Sequence, residues 1–515
     1  MGELLSHINS LKPKNSCGFD NISSNILKKI AQYIVNPLLY IFNLCLASGI
    51  FPEQMKIAKV IPIFKSGSKL NVTNYRPISL LTSFSKLFEK IINSRLLDFL
   101  DKNNLIYENQ HAFREHFSTT TAILSLTDQI KKDLDNGLFS IGVFLDLSKA
   151  FDSIPHTLLL HKLHNYGIRG VAHDLFKNYL SNRKQFVNFN NTHSSAAEII
   201  SGVPQGSILG PTLFLLYIND IYNFTISKSI LYADDITLLY SNKDIHSLIK
   251  QVNYDLNTLN HWFESNKITV NIKKTTYIIF RSSQHSIPLN HQPIKFNKQI
   301  LQCSQQNKFL GVFLDNTLSW RSQVIHVSKK ITVGMNYLIR TRHYFPKHIL
   351  NLIYLSFIES HLSYGIEVWG TACPSILKPL FVLQKRALRI MNFLPPSASV
   401  SDVFPINGTL TLPQLAYFKL AVLLHKLTNN CLKFPDIPIN IDCRKVSLRT
   451  SPDTLLAVDR AKTNYGKRRI SFIGSQLCNQ LEPSIKNIKS LPHFKKELKN
   501  MVICKDSSLQ NIVKI

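Results

Sequence analysis

Two segments of this chain are apolar on both faces and yet carry aspartate, and no other feature narrows the possible folds as far. Residues 140–147 and 230–240 read as central strands covered by helices on either side. Asp146 ends the first. Asp234 and Asp235 interrupt the second between Ile230-Leu231-Tyr232-Ala233 and Ile236-Thr237-Leu238-Leu239-Tyr240, a pattern that predicts a tight hairpin with two adjacent carboxylates at its turn. An Asp-Asp turn by itself is a solvated hairpin, and a lone strand-ending Asp is a cap. If the two strands are neighbours, however, three carboxylates converge, and at about 4 Å each pair repels by roughly 4 kcal/mol for an effective dielectric of 20. Positive charge must then sit among them. Oxygen-only ligands suit Mg²⁺, and two such ions can clamp the attacking and leaving oxygens of an in-line displacement, so the expected chemistry is nucleotidyl transfer.

The charge balance agrees. Sixty Lys and Arg against 32 Asp and Glu leave +28, which opposes compaction unless a polyanion takes it up. With 515 residues, 44% of them apolar, the chain can bury large cores, so disorder is excluded as its dominant state. Nucleic acid is the first candidate partner and acidic lipid the second. The longest apolar stretch, residues 34–51, is broken by Asn36, Pro37, Asn43, Ser48 and Gly49, so no bilayer-spanning segment and no membrane partner is expected. Gly2 and Ser6 fit the loose myristoylation pattern, which arises often by chance. Eight cysteines without a C-x-x-C pair read as reduced thiols of an intracellular protein.

Along the chain, residues 1–55 read as an extension. A β-branched run at 58–64 meets Lys65-Ser66-Gly67-Ser68-Lys69 and then Arg76, a basic hairpin. Phe84, Leu87, Phe88, Ile91, Ile92, Phe99 and Leu100 predict an amphipathic helix over 83–100. Alternation is expected from Asn257 onward, through 268–280 and 307–314, and helices from Trp320 to Met391. Leu394-Pro395-Pro396-Ser397 marks a boundary before a basic, Pro-punctuated region. His156, His161, His164 and His173 lack acidic or Cys partners at ligand spacing and are read as structural.

FLDLSKAFD (144–152), GVPQGSILGPTLFLLYIND (202–220) and LYADD (231–235), in this order, resemble the central motifs of reverse transcriptases of non-LTR (LINE-type, Jockey-like) retrotransposons. NYRPISLLTSFSKLFEKII (74–92), NIKKT (271–275) and FLGVFLD (309–315) resemble the flanking blocks of the same family, so the likeness covers about residues 15–395. The resemblance implies an α+β fold, a right-hand polymerase with fingers and an antiparallel palm sheet over 56–318 and a thumb over 319–395. A mainly helical basic region of 396–515 comes next, and 1–55 stands as an N-terminal extension. It implies RNA-directed DNA polymerase activity in retrotransposition, with an RNA template, a DNA primer, target DNA and dNTPs as partners, Mg²⁺ in two sites with Mn²⁺ as an alternative, and a nuclear location.

By the same resemblance Asp146, Asp234 and Asp235 are the catalytic metal ligands, and the Leu147 carbonyl completes the shell. Phe151 lies under the sugar and excludes a 2′-hydroxyl. Lys65, Arg76 and Gln205 bind the dNTP, and Gly206 lets backbone approach a base pair. Lys274 is the general acid for pyrophosphate. Tyr232 packs beneath the primer terminus, and Phe309, Leu310 and Gly311 grip the primer. Asp152 is expected to be structural. Ala112 replaces the glycine of the family's Q-H-G-F-R block, which shifts template contact if that position needs a positive φ. Only about fifty residues precede the finger segment, so the nicking endonuclease of full-length relatives is expected to be absent, and the acids after residue 400 (Asp402, Asp436, Asp442, Asp453, Asp459, Glu482, Glu497, Asp506) form no recognisable RNase H pattern. Two rivals stay open: a catalytically inactive, retrotransposon-derived nucleic-acid-binding protein, and an RNA-dependent RNA polymerase, against which Phe151 and the YADD form speak.

Overall fold

The computed structural model describes residues 1–190, 192–286, 292–429, 431–434 and 458–504. Asp436, Asp442, Asp453 and Asp506 therefore lie outside the described residues. At the centre stands a five-stranded sheet in the order 302–303, Thr276–Phe280, Phe139–Asp146, Asp235–Asn242, Lys228–Tyr232. The Phe139–Asp146 strand is antiparallel to both its neighbours. Successive side chains on a strand point to opposite faces, and here both faces are buried. Ile141, Val143 and Leu145 enter one apolar core with Leu231, Leu238 and Ile279. Phe144 enters the other with Ile230, Leu239, Ile278 and Phe280. That double burial is why the strand reads as a continuous apolar run.

The first core is covered by the helices Ser83–Lys102, Leu209–Ile218 and Ile245–Ser265 together with the N-terminal helices. In Leu209–Ile218 every residue but Pro211 is buried, as its uniformly apolar sequence requires. The second core is covered by Thr119–Asp135 and by the helical C-terminal half. A separate sheet holds the expected basic hairpin, Ile57–Phe64 against Tyr75–Leu80 with Ile63 opposite Arg76, and Lys184–Phe189 runs parallel beside it.

Three expectations are corrected. Alternation does not begin at Asn257: residues up to Ser265 belong to the Ile245–Ser265 helix, because Leu248, Val252, Leu256, Leu259 and Phe263 recur at helical spacing and are buried. Asn36, Pro37 and Asn43 do not break the 34–51 stretch. Residues Ala31–Ser48 form one helix with Pro37 inside, ended by left-handed Gly49 at φ 70°, and long and apolar enough by length and composition to cross a membrane. In the fold its Ala31, Val35, Leu38 and Phe42 are buried, Phe42 stacking on Phe88 at 4.7 Å. Ala112 needs no positive φ: the left-handed residue of that block is Phe113, at 53°.

The apolar core continues across residues 395 and 396. Leu377, Leu380 and Leu388 of the Pro374–Met391 helix share a cluster with Leu415, Leu420 and Leu424 of Leu412–Thr428, and with Leu477, Phe494 and Leu498 beyond. A polar strap joins the same region to the Thr119–Asp135 helix. Asp135 accepts from the Thr463 amide (2.7 Å) and hydroxyl (2.8 Å), Asp128 accepts from the Ile470 amide (2.6 Å), and the Lys131 ammonium donates to the Arg468 carbonyl (2.9 Å).

Candidate active site

The sheet register brings the aspartates together. Asp146 is the cross-strand partner of Asp235, and Asp235 is in turn the partner of Tyr232 across the hairpin. Opposed residues hold their Cβ atoms about 5 Å apart. Ala233, at φ 54°, supplies the left-handed residue of the two-residue turn, and Asp234 completes it, exposed at the tip. The carboxyl of Asp235 is pushed up to about 6, first by burial and then by the charges of Asp234 and Asp146. Its outer edge stays open to solvent. No three His, Cys, Asp or Glu side chains among the described residues form a ready ligand cage. Open, oxygen-only carboxylates that repel one another fit a hard divalent cation whose remaining ligands are water and phosphate.

Backbone clips fix Asp146. Its carbonyl accepts from the Asn271 amide (2.7 Å), its amide donates to the Thr275 hydroxyl (3.3 Å), and Ser148 donates to Thr269 (2.9 Å). Leu147, bridged to Val270, lies between these bonds, so its own carbonyl takes no part in them. The same 271–275 turn delivers Lys274, whose ammonium is 3.9 Å from an Asp146 carboxylate oxygen. Thr275 and Asn271 are site residues that sequence reasoning missed; their only signal was membership of the NIKKT block.

Phe151 and Gln205 also come together. Phe151 is half-buried and stacks on Phe214 at 4.4 Å, and its carbonyl accepts from the Val203 amide (2.8 Å). Asp152 accepts from the Gln205 side-chain amide (2.8 Å), and burial raises its carboxyl. The Gln205 carbonyl in turn takes the Ser79 amide (2.8 Å). A Cβ on Gly206, at φ 126°, would collide with the Ser79 carbonyl, so the close approach this glycine permits is made to the protein's own strand. Glu89, unremarked in the sequence, is fully buried and accepts from the Ile208 (2.6 Å) and Leu209 (3.2 Å) amides, capping the helix after this loop.

The remaining candidates lie further out. Lys65 and Arg76 are exposed on the basic hairpin, whose Arg76 strand is joined to the site through the Ser79–Gln205 bond. The FLGVFLD block is a hairpin, Gln306–Phe309 against Val312–Asp315, with Leu310 and Gly311 at its tip. Phe309 is turned into the core beside Phe144, at 5.9 Å between rings. Tyr364, also missed, donates to the Leu310 carbonyl (2.7 Å) and stands near Tyr232, whose hydroxyl is raised by burial, then by Tyr364 and Asp235. His156 bonds the Gly202 carbonyl (2.8 Å) and His173 the Leu160 carbonyl (3.2 Å), both structural ties.

Among known proteins, the family described as reverse transcriptase (RNA-dependent DNA polymerase) matches residues 63–314. The chain is 31% identical, over 76% of its length, to a probable RNA-directed DNA polymerase from transposon BS of Drosophila melanogaster. It is 28% identical over 78% to the RNA-directed DNA polymerase from mobile element jockey, and 28% over 73% to the probable enzyme from transposon X-element, of the same fly. It spans 44%, 44% and 42% of those relatives' lengths. Residues 63–314 thus match the reverse transcriptase family, and the relatives that the chain resembles over about three quarters of its length are RNA-directed DNA polymerases of transposons and mobile elements.

Proposed function

We propose that the chain is an RNA-directed DNA polymerase that extends a DNA primer on an RNA template in retrotransposition, and that Asp146, Asp234 and Asp235 are its catalytic carboxylates. The observation that carries the reading is the direct pairing of Asp146 with Asp235 beside the Asp234 turn. In this reading the central sheet is the palm, the basic hairpin and its neighbours are fingers, and the helices from Arg321 to Met391 are the thumb, with 1–55 and 396–515 flanking the polymerase.

The three carboxylates, with the Leu147 carbonyl, would hold two Mg²⁺ ions, or Mn²⁺ in their place. When bound, these supply Lewis-acid stabilisation of the phosphoryl oxygens and lower the pKa of the attacking 3′-hydroxyl. The chain's own groups do the rest. Phe151, braced on Phe214, presents a ring edge at the sugar and rejects a 2′-hydroxyl; Gln205, held by Asp152, orients the nucleotide. Lys65 and Arg76 contribute a point charge and a fork to the triphosphate as the hairpin approaches. Lys274 hands a proton to departing pyrophosphate. The Leu310-Gly311 tip, fastened by Tyr364 near Tyr232, bears on the primer end. Template RNA, primer, target DNA and dNTPs are the partners, and priming on chromosomal DNA places the protein in the nucleus.

The test is extension of a DNA primer annealed to RNA by the purified chain with Mg²⁺ and dNTPs. Template binding without extension, under conditions where a related enzyme works, identifies the inactive binding protein instead. Incorporation of rNTPs in preference to dNTPs identifies an RNA polymerase.

A further inference from the structure

A cavity of about 810 Å³ opens between the Pro374–Met391 helix, the 397–405 segment and the start of the Leu412–Thr428 helix. That volume lies in the range of small-ligand sites. None of its lining residues precedes Pro374, so it is separate from the carboxylates. One wall is basic. Lys378, Lys385 and Arg389 fall within about 40° of arc on their helix, at intervals of about 10 and 6 Å along its axis. No lining residue is acidic, and none of the three cations forms an ion pair among the described residues.

The other walls supply what a nucleotide needs besides charge. Phe381, half-buried, carries the Lys385 ammonium 4.2 Å from its ring centre. Arg389 donates to the Ala398 carbonyl (2.8 Å) and so holds the opposite wall, where the Ser399 and Ser401 hydroxyls bond each other (3.2 Å). Cations along one wall, hydroxyls on another and an aromatic ring within the enclosure match an unstacked base on its backbone better than a duplex, whose bases offer no free face.

We propose that this cavity is a second nucleic-acid site, which takes a nucleotide of single-stranded RNA, its phosphates on Lys378 and Lys385 and its base against Phe381. The proposal deepens the reading of the chain as an RNA-using protein, but does not depend on catalysis.

The test uses the full chain, its polymerase cleft saturated with an unlabelled RNA–DNA template–primer. A labelled single-stranded RNA of about twelve nucleotides carrying 4-thiouridine is the probe. Irradiation should crosslink the probe to peptides from 374–417. In anisotropy titrations K378A/K385A should weaken probe binding about fivefold or more, and reduce the salt slope by roughly 1.4, the share of two phosphates on a single strand. K243A/K250A, which removes two exposed lysines elsewhere, should leave probe binding nearly intact. Equal loss in both double variants, crosslinks confined to other peptides, equal binding of duplex DNA, or displacement of the probe by inorganic phosphate or polyglutamate as readily as by unlabelled RNA would each overturn the proposal. Absent extension by the wild-type chain with probe binding preserved tells against the polymerase reading alone.

Discussion

Asp235 combines a high energetic cost with a chemical use. Its carboxyl is raised to about 6, so in the metal-free chain the folded state disfavours its charge. A folded-state pKa above the unfolded value gives stability that is present below about pH 4 and is lost as pH rises through about 6. Asp235→Asn should therefore melt higher than wild type above pH 6 without metal, and equally near pH 4, while primer extension falls at least about a hundredfold. Asp234→Asn should lose extension to a similar degree with its circular dichroism unchanged. A variant that keeps extension would remove that carboxylate from the catalytic set. Phe151→Val takes away the ring edge at the sugar, and discrimination against rNTPs should drop about tenfold or more, read from kcat/KM ratios. Unchanged ratios would return Phe151 to the core, where its stacking on Phe214 already gives it a place. The three aspartates were legible because each interrupts or ends an otherwise apolar strand sequence, where a carboxylate needs a reason. Thr275, Asn271 and Tyr364 were not, since each acts through a contact with a residue 54 to 129 positions away or through backbone atoms that any sequence possesses.

At the scale of elements, legibility depends on burial geometry. Strands buried on both faces and the 83–102 helix announce themselves by period, whereas the end of Ile245–Ser265 imitates alternation because Asn257, Asn260 and His261 sit among its apolar positions. Polar docking leaves no period at all. Asp128, Lys131 and Asp135, at i, i+3 and i+7, look like the solvated face of a helix, but all three are buried beneath the 462–470 segment. Burial lowers the Lys131 ammonium to about 8 against an ordinary 10.5. The sign is the reverse of that at Asp235: stability is fully present above 10.5 and is lost as pH falls through about 8, because the unfolded chain holds the proton more tightly. The gap is worth about 3 kcal/mol at most. Relative to Lys131→Met, the wild-type chain should gain stability between pH 8 and 10.5, and the variant should be the more stable of the two at pH 7. Denaturant midpoints across that range measure it. Parallel pH profiles would mean that Lys131 reaches water despite its position.

On the scale of the whole molecule, the question is whether the chain divides where its sequence does. The Pro395-Pro396 step is a boundary by composition, and the backbone does turn there, between the Pro374–Met391 helix and the 397–405 segment. The core ignores it. Trp369, Leu377, Leu380 and Leu388 on one side are buried by the same cluster as Leu412, Leu415, Tyr417, Leu420 and Leu424 on the other, and Asp128 and Asp135 take their backbone partners from beyond residue 460. A chain ending at 395 uncovers that face. Each large apolar side chain stripped of its cover costs about 1.5 to 3 kcal/mol, and a native protein holds only about 5 to 15 in reserve, so losing half a dozen such contacts exhausts it. Residues 1–395 should therefore express as aggregate, or as an expanded species that binds hydrophobic dye, even though every polymerase block is present. Addition of 396–515 as a separate polypeptide should not restore primer extension efficiently, because the two halves must fold around each other. The full chain should unfold in one transition seen alike by circular dichroism and by tryptophan fluorescence, to which Trp320 and Trp369 of the shared core and Trp262 of the other core contribute. Recovery of a soluble 1–395 fragment that extends primers at the full-length rate would show that the basic region is an appendage and that the continuity of the core is not required for folding.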